Sequence, residues 1–198
     1  KKYHSKKNKK IKIAILSVSS TQHLSKLIIL FLNYFGINVT IYESKFGQYY
    51  EEAVFNNKKL HKFNPDFIWD NISNKILGDL DDFSNKKINI GQTNKKIKQI
   101  VYTLLNNYRA ELIVNNLDYT NNLNATIDNR GNNGILDKIN KINNSIFSLV
   151  TNNEKVTLFD INSISSNVGL SKWNSIRDWT QYKYHPSLNS SSIFCFEF

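Results

Sequence analysis

Apolar positions along the chain follow two alternating periods. Residues 11–16 (Ile11–Leu16) form a short run rich in β-branched side chains that breaks into the small polar cluster Ser17–Thr21, as a buried strand ending in a loop would. Leu24, Leu27, Ile28, Phe31 and Phe35 then recur at helical spacing, and Gly36 stands where a helix can stop by taking a left-handed conformation. Residues 38–44 read as a second strand, and Asn64-Pro65-Asp66 is a turn signal before a third strand, Phe67–Asp70. Ile97, Ile100, Val101, Leu104 and Tyr108 mark a helix, residues 110–116 a fourth strand, Ile135 to Leu149 another helix, and residues 155–161 a fifth strand. Strands alternating with amphipathic helices predict right-handed crossovers and a three-layer α/β/α sandwich with a mainly parallel five-stranded sheet. Ligand sites in such sheets lie beyond the carboxyl ends of the strands, so those ends hold the candidate residues.

Length and composition narrow this picture. A chain of 198 residues suits one domain, read here as residues 11–198 behind a basic disordered arm of residues 1–10. The longest apolar run, Leu27–Leu32, is far too short for a membrane span. One cysteine, Cys195, excludes an internal disulfide and a cysteine-based zinc site, which fits a reducing compartment, with cytoplasm as the default. The lack of any methionine, initiator included, reads as a piece trimmed from a longer product. The net charge of +10 is weighted toward the first twelve residues, which hold seven lysines, and no nucleic-acid module accompanies it. A basic surface suits phosphorylated ligands or an acidic carrier protein equally well.

The strand ends deliver a coherent set of groups. The first carries Ser17, Ser19, Ser20 and Thr21; the second Gly47, Gln48, Tyr49, Tyr50, Glu51 and Glu52; the third Asp70 and Asn71; the fourth Asn115 and Asn116; and the region past the fifth Asp178 and His185. A hydroxyl to attack, an imidazole to take its proton and fixed N–H donors for an oxyanion are what acyl transfer needs. Helix N-capping by Ser20 or Thr21 is the competing use of the hydroxyls. Gln48 and Glu52, four apart, either line a pocket or brace a loop. His23 and His61 read as solvated, and Cys195 as packing.

The order Ser, Gly, Asn, His resembles the SGNH (GDSL-like) hydrolases, a flavodoxin-like α/β fold. That resemblance implies Ser19 as nucleophile, with Ser20 as the alternative, Gly47 and Asn71 as oxyanion donors, and His185 as base. Two departures stand out. Ser17-Val18 replaces the Gly-Asp that usually precedes the nucleophile, and Tyr182 replaces the acid three residues before the histidine, leaving Asp178, seven residues ahead, as the candidate acid. A second resemblance covers more of the chain. Phe46, Gln48, Tyr49 and Glu52, followed by His61, Phe63, Pro65 and Asp66, and the closing stretches around residues 156–169 and 177–188, are similar to the N-terminal SGNH-like domain of FkbH-like proteins. It implies a small acyl or glyceryl substrate, transfer or hydrolysis in polysaccharide or polyketide-type biosynthesis, and as partners an acyl carrier protein or a C-terminal HAD-type phosphatase domain. The phosphatase motif Asp-x-Asp-x-Thr/Val is absent from these residues, and neither a cofactor nor a metal is expected. The alternative is a catalytically degenerate SGNH-like module that docks a carrier protein or partner domain.

Overall fold

The computed structural model describes residues 9–55, 57–78, 88–120 and 134–198. Five parallel strands lie in the order β2-β1-β3-β4-β5: β1 (Lys9–Ser17), β2 (Ile37–Glu43), β3 (Phe67–Asn71), β4 (Glu111–Asn115) and β5 (Val156–Phe159). β1 begins at Lys9, inside the stretch read as the arm, and the rest of that arm lies outside the described residues. Successive side chains of a strand point to opposite faces. Ala14, Leu16 and Ile68 therefore enter one core, beneath α2 (Tyr49–Val54), α4 (Ile90–Asn107) and α5 (Ile135–Thr151). Ile13, Ile15 and Trp69 enter the other, beneath α1 (Gln22–Tyr34), α6 (Ile161–Val168), α7 (Leu170–Trp173) and α9 (Leu188–Glu197). The three-layer sandwich expected from the pattern is the observed fold.

Gly36 stops α1 as the pattern requires, with φ +78° and its N–H bonded to the Asn33 carbonyl. The short elements are the ones hydrophobic periodicity does not show: α2, α3 (Lys58–Phe63), the 3₁₀ turn Asn74–Leu77, α7 and α8 (Ile176–Tyr182). Several are set by caps: Asn57 accepts from Lys59 and Leu60, and Ser175 from Asp178. The strand order reverses between β1 and β3, because β2 lies to one side of β1 and every later strand to the other. This is the switch point at which open α/β sheets bind ligands. No helix among the described residues is long and apolar enough to cross a membrane.

Candidate active site at the β1/β3 switch point

Ser17, Asn71 and Asn115 end β1, β3 and β4 on the face shared with Trp69, and hydrogen bonds link them in one chain. The Trp69 indole N–H, a donor only, binds Asn115 Oδ1 at 2.8 Å. That turns Asn115 Nδ2 toward Asn71 Oδ1, 2.7 Å away, and so aims Asn71 Nδ2 at the Ser17 hydroxyl, 3.1 Å away. Each amide orientation follows from the one before it. The expected oxyanion donor, Asn71, is thus at the switch point with its NH₂ fixed in direction.

Ser19 follows β1 and is 4% exposed; its hydroxyl lies 3.1 Å from Ser17 Oγ and donates to the His185 carbonyl at 3.4 Å. The neighbouring Ser20 N–H bonds the Lys183 carbonyl at 2.9 Å, which sews the β1 loop to the C-terminal segment. The structure therefore brings Ser19, Asn71 and His185 together.

The acid facing His185 is Asp118, a residue the sequence reading did not single out. His185 Nε2 lies 2.8 Å from Asp118 Oδ2, and both side chains are buried. The same oxygen accepts from the Trp173 indole at 2.8 Å and Asn74 Nδ2 at 2.9 Å, while Oδ1 accepts from the Asn74 backbone N–H at 3.0 Å. Burial alone pushes this carboxyl up, but His185, Asn74 and Trp173 together outweigh it and hold Asp118 below the usual carboxylate range. The loop that carries Asp118 is clamped by Asn143 of α5, which bonds both the N–H and the carbonyl of Leu117. Asp118 stands just past the end of β4, so the strand-end rule extended by three residues would have pointed to it.

Asp178 sits elsewhere. Its carboxylate accepts from the Leu188 N–H at 2.9 Å, at the start of α9, ten residues along the chain, whereas the acid at the His185 ring is Asp118. Gly47 and Gln48 are exposed in the loop after β2, Gly47 with φ +79°. Glu52 braces that loop, accepting from the Tyr42 hydroxyl (2.5 Å), the Lys45 N–H (2.9 Å) and Asn57 Nδ2 (3.0 Å). Tyr49 is buried on the opposite face of the sheet, its hydroxyl donating to Asp70 at 2.7 Å. It also forms one wall of a cavity of about 340 Å³ between α2, the 3₁₀ turn and α4.

Two further expectations are corrected. Neither helix capping nor solvent explains the residues at the start of α1. Thr21, the N-cap, makes no side-chain cap and instead donates to Glu43 at 2.6 Å. His23 is largely buried against Tyr184, with ring centroids 4.0 Å apart, and neither ring nitrogen has a hydrogen-bond partner. Burial lowers its pKa to about 4, against a smaller upward pull from Asp178. His61 is exposed, stacked on Tyr108, and Cys195 is buried, its thiol pushed up to about 12.

Asp70 is fully buried, and its Oδ2 has no partner. Burial raises its pKa to about 7, with the Tyr49 hydrogen bond pulling the other way. The folded state therefore holds this proton more tightly than the unfolded chain does, and stability falls as pH rises from the ordinary carboxylate range to about 7. Asp70→Asn keeps an acceptor for Tyr49 and removes the charge. Urea unfolding should show little difference from wild type at pH 4 and a more stable variant at pH 8; equal stability at both would contradict this account of Asp70.

Among the described residues no cluster of three or more His, Cys, Asp or Glu side chains is placed to hold a metal ion. No family model matches the chain, and no curated protein sequence matches it. Solved structures do. The N-terminal part of BF1531 from Bacteroides fragilis, which contains a phosphatase domain and was solved with Mg, aligns over 98% of this chain at 16% identity with a TM-score of 0.82. The chain spans about half of that structure, 52% of its length. The acetyl xylan esterase AlAXEase aligns over 94% of this chain and 97% of its own, at 14% identity and a TM-score of 0.64. A GDSL-like lipase candidate from Parabacteroides merdae aligns over 96% and 94%, at 10% identity and 0.61. The chain thus has the SGNH/GDSL hydrolase fold, and the resemblance of its sequence to the SGNH-like domain of FkbH-like proteins is borne out at the level of that fold.

Proposed function

We propose that the chain is an acyl-handling SGNH-like domain of an FkbH-like protein, in which Ser19 takes an acyl or glyceryl group for transfer or hydrolysis. The observation that supports this best is the meeting of Ser19, the Asn71 amide and a hydrogen-bonded His185–Asp118 couple at the switch point of the sheet. In this reading Ser19 Oγ attacks the ester or thioester carbonyl, and its proton passes to His185. Asp118 holds Nε2–H, so Nδ1 is the nitrogen left to accept that proton and later deliver it to the leaving group. Nδ1 is also the ring nitrogen nearer the residue's own backbone, whose carbonyl accepts from the Ser19 hydroxyl. Asn71 Nδ2 and the Ser19 N–H are the donors for the oxyanion. The biosynthetic setting, an acidic acyl carrier protein drawn to the basic surface and a linked phosphatase domain belong to the same proposal, supported by the likeness to BF1531.

Hydrolysis of p-nitrophenyl acetate and labelling by a fluorophosphonate test the reading. Ser19→Ala should abolish labelling, and His185→Ala should lower the rate at least ~100-fold, the scale of a lost general base. Wild-type rates in either variant remove that residue from the mechanism.

One observation favours a binding module instead. The Ser19 hydroxyl points at a carbonyl rather than at the imidazole, and the serine is almost fully buried. A wild-type protein that neither hydrolyses the ester nor takes the label would select that second reading.

A further inference from the structure

The Ser17 hydroxyl sits where an oxyanion would. Its oxygen accepts from the Ser19 backbone N–H at 3.0 Å and from Asn71 Nδ2 at 3.1 Å, and it lies 3.1 Å from Ser19 Oγ. Its own proton can be taken by the Asn71 carbonyl, 3.3 Å away. Ser17 is 1% exposed, so these bonds are made without competition from water. Asn71 cannot turn its NH₂ elsewhere without breaking the run of bonds that starts at the Trp69 indole. A position reached by a fixed amide donor and by the backbone N–H of the attacking serine is the position in which charge on a former carbonyl oxygen is stabilised.

We propose that Ser17 is a built-in occupant of the oxyanion pocket, which keeps Ser19 closed until the Ser17 side chain rotates to another staggered conformation and a substrate carbonyl oxygen takes its place. The inference rests on the acyl reading above. No covalent change is involved: two donors exchange one neutral oxygen for another. Such an occupant lowers reactivity toward any acyl group that cannot displace it, which makes Ser17 a selectivity-determining residue rather than a catalytic one.

Removing the hydroxyl tests this directly. Ser17→Ala and Ser17→Gly leave the Ser19 N–H and Asn71 Nδ2 free for an incoming oxygen. Since one such donor contributes roughly a hundred- to a thousandfold in rate, freeing two should speed fluorophosphonate labelling of Ser19 and p-nitrophenyl acetate hydrolysis by about tenfold or more. The label should vanish in the Ser17→Ala, Ser19→Ala double variant. Alanine changes the strand least, and glycine also removes Cβ, so agreement between the two separates release of the pocket from loosened packing. If wild type takes the label and both variants react at the wild-type rate, the occupant role is overturned while the acyl reading stands. A lower rate in both, with the thermal midpoint retained, would place Ser17 in the proton path and also overturn it. Absence of label in wild type and both variants would sink the acyl reading together with this one.

Discussion

Asp118→Ala should destabilise the fold by about 3–5 kcal/mol, the scale found when one partner of a buried ion pair is removed. The carboxylate accepts from His185, Trp173 and Asn74, the last through both side chain and backbone, and it is fully buried. Alanine would strand all of these donors away from water, and each stranded donor carries its own desolvation cost. The acid limb of the stability curve should change as well. Because the folded state holds Asp118 below its ordinary pKa, its contribution is complete above the unfolded carboxylate range and is lost as pH falls through the lower folded value. The variant should therefore lose less on acidification than wild type does. Asp178→Ala is the control: losing its contact with the Leu188 N–H should cost about 1 kcal/mol, as for a helix cap. Urea midpoints at unchanged m-value would measure both, and a larger loss in the Asp178 variant would reverse the assignment of the two acids.

Trp69 carries the second large effect, and two substitutions divide its roles. Trp69→Ala should cost about 3–5 kcal/mol, since the side chain has no solvent exposure and packs against Phe159, Phe194 and Phe198. Trp69→Phe keeps most of that packing but removes the donor to Asn115 Oδ1. It should cost about 1 kcal/mol from the lost hydrogen bond and more if the smaller ring leaves a void. The consequence at the site should outweigh that loss. Without the indole N–H only the Ile72 carbonyl, 3.0 Å from Asn115 Nδ2, still directs that amide, so the Asn71 amide is held less firmly with its donor toward Ser17. Fluorophosphonate labelling of Ser19 should then slow by about tenfold while the fold persists; labelling at the wild-type rate would show that the amides are oriented by something else.

The architecture was legible because its long elements carry clean periods. Ile11–Leu16, the helical stripe from Leu24 to Phe35 and the stripe from Ile135 to Leu149 all became the elements their spacing implies. Strand ends then ranked the candidates, and Ser19, Asn71 and His185 do meet there. What could not be read was pairing between side chains brought together only by the tertiary fold. Asp178 was the nearest acid along the chain, whereas Asp118, 67 positions from His185, is the nearest in space. Gly47, Gln48 and Glu52 occupy the expected motif, yet Glu52 is consumed by Tyr42, Lys45 and Asn57, none of which the motif includes. Thr21 had the right residue type for a cap but found a stronger acceptor, Glu43, on the neighbouring strand. Short helices set by single caps, such as α3 and α8, offer too few turns for a period to show.

The two polar networks each begin at a tryptophan: Trp69 donates into the Asn115–Asn71–Ser17 run, and Trp173 donates to Asp118 beside His185. The chain has three tryptophans, so a nitrogen-15 spectrum contains three indole N–H resonances, two of them wired to opposite halves of the site. One reports what occupies the Ser17 position and the other the protonation of the imidazole couple. Binding and proton transfer could thus be followed separately, on unmodified protein, without attaching any probe to the residues that do the chemistry.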